Sequence, residues 1–343
     1  MTRRGATLML GAVLLVVFAI AVASMPVPYV VLGPGPTVNT VGTLDGKPVI
    51  NITGRPRSVS AGHLNLMTVS VGDRIDLLTG VRAWFNRDYA VVPREEIYPP
   101  DRTVKQVDAQ NSADFRSSED SAEVAALHQL GIPQQVFVTK VAPGAAATGK
   151  LAAGDVLLAV DGVAAASVTE LTGLIRKHHP GDQVAVRYVR AGHPATATIR
   201  AGAVPGDLTR AMLGIQVDQR PAPPLHISFD INDIGGPSGG LMFALAIVDL
   251  LTPADLTGGM FIAGTGTIDG TGTVGPIGGI HQKLVAAKRA GAVVFLTPAA
   301  NCAEASQLIP HGLRLVKVTT LRDALAALAT LRAGAGSLPS CRS

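Results

Sequence analysis

The stretch Gly235-Gly236-Pro237-Ser238-Gly239-Gly240 places one serine between two glycine pairs, directly ahead of the almost wholly apolar run 241–251. The run predicts a buried helix, and the glycines predict a tight turn at its mouth. Glycine lets the backbone approach a substrate closely, and the first N–H groups of a helix have no partner within it. Ser238 can therefore be a nucleophile, with these N–H groups stabilising the oxyanion that forms on the substrate carbonyl. It can also simply be a helix cap.

A lysine further along the chain is a candidate base for this serine. At about 100° per residue, Ile280, Leu284, Ala287 and Ala290 fall on the same side of a helix as Lys283. Burial lowers the pKa of an amine, and a neutral amine can remove a proton from a serine hydroxyl. Ser–Lys pairs are a known variant of the serine-hydrolase triad. The alternative is a lysine that extends along the helix into water, and helix geometry alone leaves both open.

The segment from about residue 213 to residue 331 resembles the proteolytic domain of Lon-type peptidases. The sequence 236–240 resembles the turn that carries the nucleophile of that family, and 276–283 resembles the segment that carries its general base. The resemblance implies a catalytic dyad of Ser238 and Lys283, with Thr265 of Gly264-Thr265-Gly266 hydrogen-bonded to the lysine. The sequences 288–292 and 298–301 also fit the family pattern.

Two positions depart from that pattern. Gly235 stands where the ATP-dependent members usually have an acidic residue, and Thr267 replaces a glutamate. The ATPase module and the substrate-recruiting domain of those members are not found in this sequence. The resemblance is therefore to the PDZ-containing, ATP-independent Lon-like peptidases of bacterial membranes.

The region 120–203 resembles a PDZ domain. The residues that carry this resemblance are Thr139–Gly144, Leu151, Gly154-Asp155, Val160–Gly162 and Pro180–Asp182. An extended peptide, commonly a C-terminus, is then expected between the strand Val136–Val141 and the helix Val168–His178. A PDZ-like spacer with a closed groove is the alternative. The polar stretch 110–123, just before this region, is interpreted as a surface linker or the start of a helix.

An apolar segment near the start of the sequence predicts a membrane helix. Arg3 and Arg4 precede the uncharged run 5–24, which is long enough to cross a bilayer at about 1.5 Å per residue. The arginines are expected to stay in the cytoplasm, which places most of the chain outside it. A cleaved signal peptide is the alternative, because Ala21-Val22-Ala23 fits the small-residue cleavage pattern.

The composition excludes several other classes of function. The net charge of +4 without a long basic run, together with 4% aromatic residues, does not indicate nucleic-acid binding. The sequence 144–151 is close to the phosphate-binding loop motif, but Leu151 stands where the motif requires the hydroxyl of a serine or threonine. No nucleotide is therefore expected. Histidine, cysteine and carboxylate spacings predict no metal, and no other cofactor is expected. Cys302 and Cys341 can pair outside the cytosol, although nothing in the sequence requires it.

These observations predict a multidomain α+β or α/β protein. Its expected divisions are a cytoplasmic tail 1–4, a transmembrane helix 5–25, a β-rich region 26–119, a PDZ domain 120–203, a Lon-like domain 204–335 and a flexible tail 336–343. The expected function is a membrane-anchored, ATP-independent serine endopeptidase that cleaves unfolded or extended extracytoplasmic polypeptides. Its expected partners are polypeptide substrates, a PDZ-bound peptide and lipid, and ring assembly is left open. The alternative is a non-enzymatic PDZ adaptor with a latent Lon-like domain.

Overall fold

The chain forms two compact units, neither of which is one continuous segment. The computed structural model describes residues 3–231 and 234–341. The first unit contains the residues up to 50, 58–122 and those from 229 onward, and the second contains 51–57 and 123–228. The second unit is therefore inserted into the sequence of the first.

The helices vary from a single turn to 26 residues. They are α1 Arg3–Ala23, α2 Leu77–Trp84, α3 Arg94–Ile97, α4 Val104–Gln129, α5 Val168–Ile175, α6 Gly240–Leu251, α7 Ile280–Ala290, α8 Cys302–Ala305 and α9 Leu321–Ala333, with a 3-10 turn at Ala299–Asn301.

The strands are mostly short. They are β1 Tyr29–Asn39, β2 Thr43–Leu44, β3 Lys47–Pro48, β4 Ile50–Thr53, β5 His63–Gly72, β6 Ala90–Pro93, β7 Gln134–Val141, β8 Val156–Val160, β9 Val163–Ala164, β10 Gln183–Arg190, β11 His193–Arg200, β12 Gly202–Val204, β13 Asp207–Met212, β14 Ile215–Pro221, β15 His226–Phe229, β16 Phe261–Gly264, β17 Thr267–Ile268, β18 Val274–Gly275, β19 Val294–Pro298 and β20 Arg314–Val318.

The first unit is built on a six-stranded sheet in the order β20-β19-β16-β5-β1-β6. Strands β20, β19, β16 and β5 run parallel, and β1 is antiparallel to both of its neighbours. Helix α6 is buried from Gly240 to Leu250, as expected of a helix that is apolar all round. The regions predicted as separate, 26–119 and 204–335, thus share one sheet. The domain boundaries in the structure differ from the predicted ones, because β16 pairs with β5 on one side and with β19 on the other.

The second unit contains a sheet in the order β11-β10-β8-β7-β14, with β9 added to β8. Its core includes the buried side chains of Val136, Val138, Val184 and Val186. Strand β14 is antiparallel to β7, with Ile215 opposite Val141. The unit therefore continues beyond the predicted boundary at 203, because β14 completes its sheet.

The segment predicted to span a membrane, 5–25, forms most of α1. Across the residues that the structure describes, no helix is both long and apolar enough to cross a membrane. The transmembrane prediction is therefore not supported. Residues 1 and 2 of the predicted cytoplasmic tail lie outside the described residues.

The predicted flexible tail 336–343 is instead attached to the first unit. Cys341 forms a disulfide with Cys302, and the carbonyl of Pro339 accepts a hydrogen bond from the Lys317 N–H at 3.0 Å. Cys341 also packs against the apolar cluster that contains Leu313. The covalent link and this packing fix the segment up to residue 341, and the last two residues lie outside the description.

Candidate active site

Ser238 lies in the turn immediately before α6, and backbone hydrogen bonds hold that turn on both sides. The Gly236 N–H donates to the carbonyl of Asn111 at 2.9 Å, and the Gly266 N–H donates to the carbonyl of Ser238 at 2.9 Å. Gly236 has a φ of +84°, a conformation that favours glycine. The turn is therefore fixed by two segments distant in sequence.

Helix α4 supplies a support for this turn that sequence reasoning did not find. The Ser118 hydroxyl donates to the carbonyl of Pro237 at 3.0 Å. Phe115 packs edge to face on Phe243 of α6, with ring centroids 5.6 Å apart. The stretch 110–123 belongs to this helix rather than to a linker. The available signal was the spacing of Asn111, Phe115 and Ser118, which places them on one helix face.

Lys283 occupies the buried face of α7. Its side chain is only 3% exposed, and Ile280, Leu284 and Ala287 around it are fully buried. Burial lowers the pKa of Lys283 to about 7. Among the described residues, no carboxylate forms an ion pair with it. The apolar-face interpretation is confirmed, and the interpretation of a lysine that extends into water is wrong.

Thr265 connects the lysine to the serine turn, as the resemblance implied. Lys283 Nζ donates to Thr265 Oγ1 at 3.1 Å, and Thr265 Oγ1 donates to the carbonyl oxygen of Ser238 at 3.0 Å. A carbonyl oxygen can only accept, so the threonine proton points to Ser238 and the threonine oxygen accepts from the amine. The lone pair of a neutral Lys283 amine is therefore not used by Thr265.

Ser238 and Lys283 line the same cleft, which has a volume of about 330 Å³. Pro237, Gly278 and Val69 contribute to its walls. In the described part of the chain, no hydrogen bond joins Ser238 Oγ to Lys283 Nζ. Ser238 and Lys283 thus share a cleft without a hydrogen bond between their side chains, a geometry that does not exclude a catalytic pair.

The backbone offers oxyanion donors beside Ser238. The Leu241 N–H already donates to the carbonyl of Gly266 at 3.1 Å, and those of Met242 and Phe243 donate to Gly239. Within 3–231 and 234–341, no acceptor is found for the N–H groups of 238–240. These three groups are therefore the candidates to stabilise an oxyanion.

Asn301 holds the loop that precedes α7, the helix that carries Lys283. Its Oδ1 accepts from the Ile277 N–H at 2.9 Å, and its Nδ2 donates to the Ile277 carbonyl at 2.9 Å. Asn301 is buried and directly precedes Cys302 of the disulfide. The paired hydrogen bonds fix the loop that leads into α7, and hence the position of Lys283.

The strand that was predicted to border a peptide groove has no free edge. The edge of β7 is paired with β14, so an extended peptide cannot add to Val136–Val141 there. A cleft of about 210 Å³ is instead lined by residues of α5 and β14, together with Arg210 and Leu213. The prediction that a peptide adds to this strand was therefore wrong, because β14 occupies the edge of β7. The predicted helix does line the cleft.

Comparison with known families agrees with both predicted domain types. Residues 106–200 match the PDZ domain family, and residues 224–330 match the Lon protease (S16) C-terminal proteolytic domain family. The chain thus combines a PDZ domain with a proteolytic domain of the Lon type. The proteolytic domain is that of a serine-type peptidase.

The Lon proteases that resemble this chain match only part of it. Lon protease 1 from Sorangium cellulosum is 37% identical over 127 residues, covering 36% of this chain and 15% of that protein. The mitochondrial Lon protease homologue of Mus musculus is 35% identical over 102 residues, covering 29% and 10%. The chain therefore spans 15% or less of the length of these curated relatives. Among solved structures, the PDZ domain of an SdrC-like protein from Listeria monocytogenes is 28% identical, covers 24% of this chain and 85% of that chain, and has a TM-score of 0.23.

Ser118→Ala is expected to lower turnover by roughly tenfold and to destabilise the fold by about 1 kcal/mol, because the Pro237 carbonyl loses its partner. The loss should appear in kcat rather than in KM, since Ser118 positions the turn and lies outside the set of residues that line the cleft. Ser117→Ala, at an exposed position on the same helix, is the matched control. Equal kcat values for the two variants would show that α4 does not position the nucleophile.

Proposed function

We propose that this chain is an ATP-independent serine endopeptidase in which Ser238 is the nucleophile and Lys283 is the general base. The observation that carries the proposal is the buried amine of Lys283, whose pKa is lowered to about 7, in the same cleft as Ser238. At neutral pH a large fraction of this amine is uncharged and able to accept a proton. Thr265 holds the amine without using its lone pair.

The chemistry proceeds by acyl transfer. Lys283 Nζ takes the hydroxyl proton of Ser238 as Oγ bonds to the scissile carbonyl carbon, and the carbonyl oxygen becomes an oxyanion. Backbone N–H groups in 238–240 stabilise that charge. The Lys283 ammonium then donates its proton to the leaving amine as the C–N bond breaks. The neutral Lys283 then deprotonates a water molecule that attacks the ester carbonyl, and the resulting ammonium returns the proton to Ser238 Oγ as the ester C–O bond breaks.

ATP independence is supported by the segment that most resembles a phosphate-binding loop. Leu151, which ends this segment, is 4% exposed and packs in the core of the second unit. A side chain in that position has no hydroxyl for a magnesium ion and is not accessible to a nucleotide. Without a nucleotide-driven unfolding step, the substrates are polypeptides that are already unfolded or extended.

The PDZ domain recruits an extended peptide end in this proposal. Arg176 and Arg210 line the cleft between α5 and β14, where they supply positive charge for a terminal carboxylate. Assembly into rings, which is common among Lon-type domains, remains an expectation from the resemblance alone.

The proposed location is outside the cytosol, with attachment to a membrane through α1. The Cys302–Cys341 disulfide supports an oxidising compartment. The apolar side chains of α1 support attachment, since Leu15 and Phe18 are 69% and 68% exposed. An exposed apolar helix is stabilised by contact with lipid.

The purified chain is expected to cleave an internally quenched, unstructured peptide in the complete absence of nucleotide. Added ATP with magnesium, or prior treatment with apyrase, should leave the rate unchanged. A folded protein of stable structure is the control substrate and should remain intact. Cleavage that depends on ATP would contradict the proposal.

A PDZ adaptor with a latent proteolytic domain is the second candidate. The observation in its favour is that Lys283 Nζ is hydrogen-bonded to Thr265 rather than to Ser238 Oγ. An adaptor would bind peptide without turnover under the same assay conditions.

A further inference from the structure

Helix α2 and the residue that follows it expose an apolar surface. Among the residues of this helix, only Ala83 is buried. We call this region the α2 surface: Leu77, Leu78, Val81, Trp84 and Phe85, which are 37%, 42%, 44%, 72% and 83% exposed. Exposed apolar side chains grouped in this way usually mark a binding surface.

Of the five exposed aromatic residues that the structure describes, three lie in this surface or shortly after it in sequence. The sequence has one tryptophan, four tyrosines and eight phenylalanines. Among the side chains that the structure describes, the aromatic ones classed as exposed are Phe18, Tyr29, Trp84, Phe85 and Tyr89. Aromatic rings are enriched where a protein meets the headgroup region of a bilayer. This distribution fits lipid as the occupant.

The charges around the surface fit an anionic membrane. Arg82 and Arg87 are exposed, and neither forms an ion pair among the residues described. The nearby carboxylates are engaged: Asp76 caps α2 by accepting from the Thr79 N–H, and Asp88 pairs with Arg289. The two arginines attract anionic headgroups.

The α2 surface begins next to the end of α1. The Leu77 N–H donates to the carbonyl of Met25 at 3.0 Å, and the Val27 N–H donates to the carbonyl of Ile75 at 3.1 Å. These hydrogen bonds attach the start of α2 to the segment that leaves α1. A membrane in contact with the exposed apolar side chains of α1 therefore also lies near α2.

We propose that the α2 surface lies in the headgroup region of an anionic membrane and holds the proteolytic unit against it. The inference rests on the proposed attachment through α1 and adds a second, interfacial contact. A lipid-facing helix of this kind lies in the plane of the interface, with its aromatic and aliphatic side chains in the acyl boundary and its arginines among the headgroups.

Trp84 makes the test specific, because it is the only tryptophan of the chain. The full-length chain is mixed with phosphatidylcholine vesicles, with or without phosphatidylserine, that carry spin-labelled lipids at different depths. The emission of Trp84 should shift to the blue and be quenched most strongly by the shallow label. Flotation of the same samples measures attachment separately.

The variants test whether the α2 surface itself makes the contact with lipid. Phe85→Asp should reduce the quenching of Trp84, whereas Leu208→Asp, which replaces an exposed leucine of the second unit, should not. Arg82→Ser and Arg87→Ser should each weaken binding to phosphatidylserine vesicles by about fivefold.

Chains that float with vesicles while Trp84 remains unquenched would overturn the α2 contact and leave the attachment through α1 in place. Chains that do not float would overturn both. A blue shift that depends on protein concentration without lipid would assign the surface to a second copy and overturn the proposal. Peptide cleavage in solution reports on the proposed peptidase independently of all three results.

Discussion

Ser238→Ala and Lys283→Met are each expected to reduce peptide turnover by about 10⁴-fold or more. Alanine removes the atom that forms the acyl bond, and methionine removes the amine that accepts the proton while keeping an apolar side chain of similar length. Because the two residues act as a unit, the double variant should be no slower than the worse single variant. The measurement is kcat/KM on an unstructured peptide for the four proteins.

Two control variants test whether the loss of turnover is due to the loss of an uncharged amine at position 283. Lys288→Met removes an exposed lysine from the same helix and should retain full activity. Lys283→Arg keeps a long basic side chain but remains charged, so it should be as inactive as methionine. Turnover at the parental rate in Ser238→Ala or in Lys283→Met would show that the dyad is wrong.

The second expected result concerns stability rather than rate. The pKa of Lys283 falls from 10.5 to about 7 on burial, so between these values the unfolded chain holds a proton that the folded chain lacks. The free energy of unfolding must therefore rise with pH in this window, by about 1.4 kcal/mol per pH unit from this group. Below pH 7 both states are charged, and the burial cost is present in full.

Lys283→Met removes this contribution to the free energy of unfolding. The difference in that free energy between parent and variant therefore separates the contribution of Lys283 from those of the other titrating groups. Chemical denaturation at several pH values between 7 and 10 should show the variant more stable at pH 7, with its advantage shrinking as the pH rises. Lys288→Met is again the control and should follow the parent. A constant difference between parent and Lys283→Met across this range would mean that the amine is not desolvated in the folded state.

The local arrangement of the candidate site could be predicted from the sequence because it depends on local patterns. The glycine pairs around Ser238 predict a turn before a helix, and the positions of Ile280, Leu284 and Ala287 predict the buried face that holds Lys283. Thr265 required the family resemblance, since nothing local connects a threonine to a lysine that follows it after a hairpin.

The supports of the site could not be predicted because they come from pairings between distant segments. The sheet behind the site joins β5 to β16, and sequence periodicity identifies a strand but not its partner. The same reason applies to β14, whose pairing with β7 closes the strand edge that was predicted to receive a peptide. Ser118 and Asn301 are ordinary polar residues in sequence, and only the fold brings them to the carbonyls that they bind.

The ionisation of Lys283 can be measured directly by NMR. With lysine labelled at Cε in the Ser238→Ala chain, the pH titration of each lysine signal reports its pKa. We expect one signal to titrate near pH 7, and we expect that signal to be absent from the spectrum of the Lys283→Met chain. If every lysine titrates near its ordinary value of about 10.4, Lys283 is charged at neutral pH and cannot be the general base.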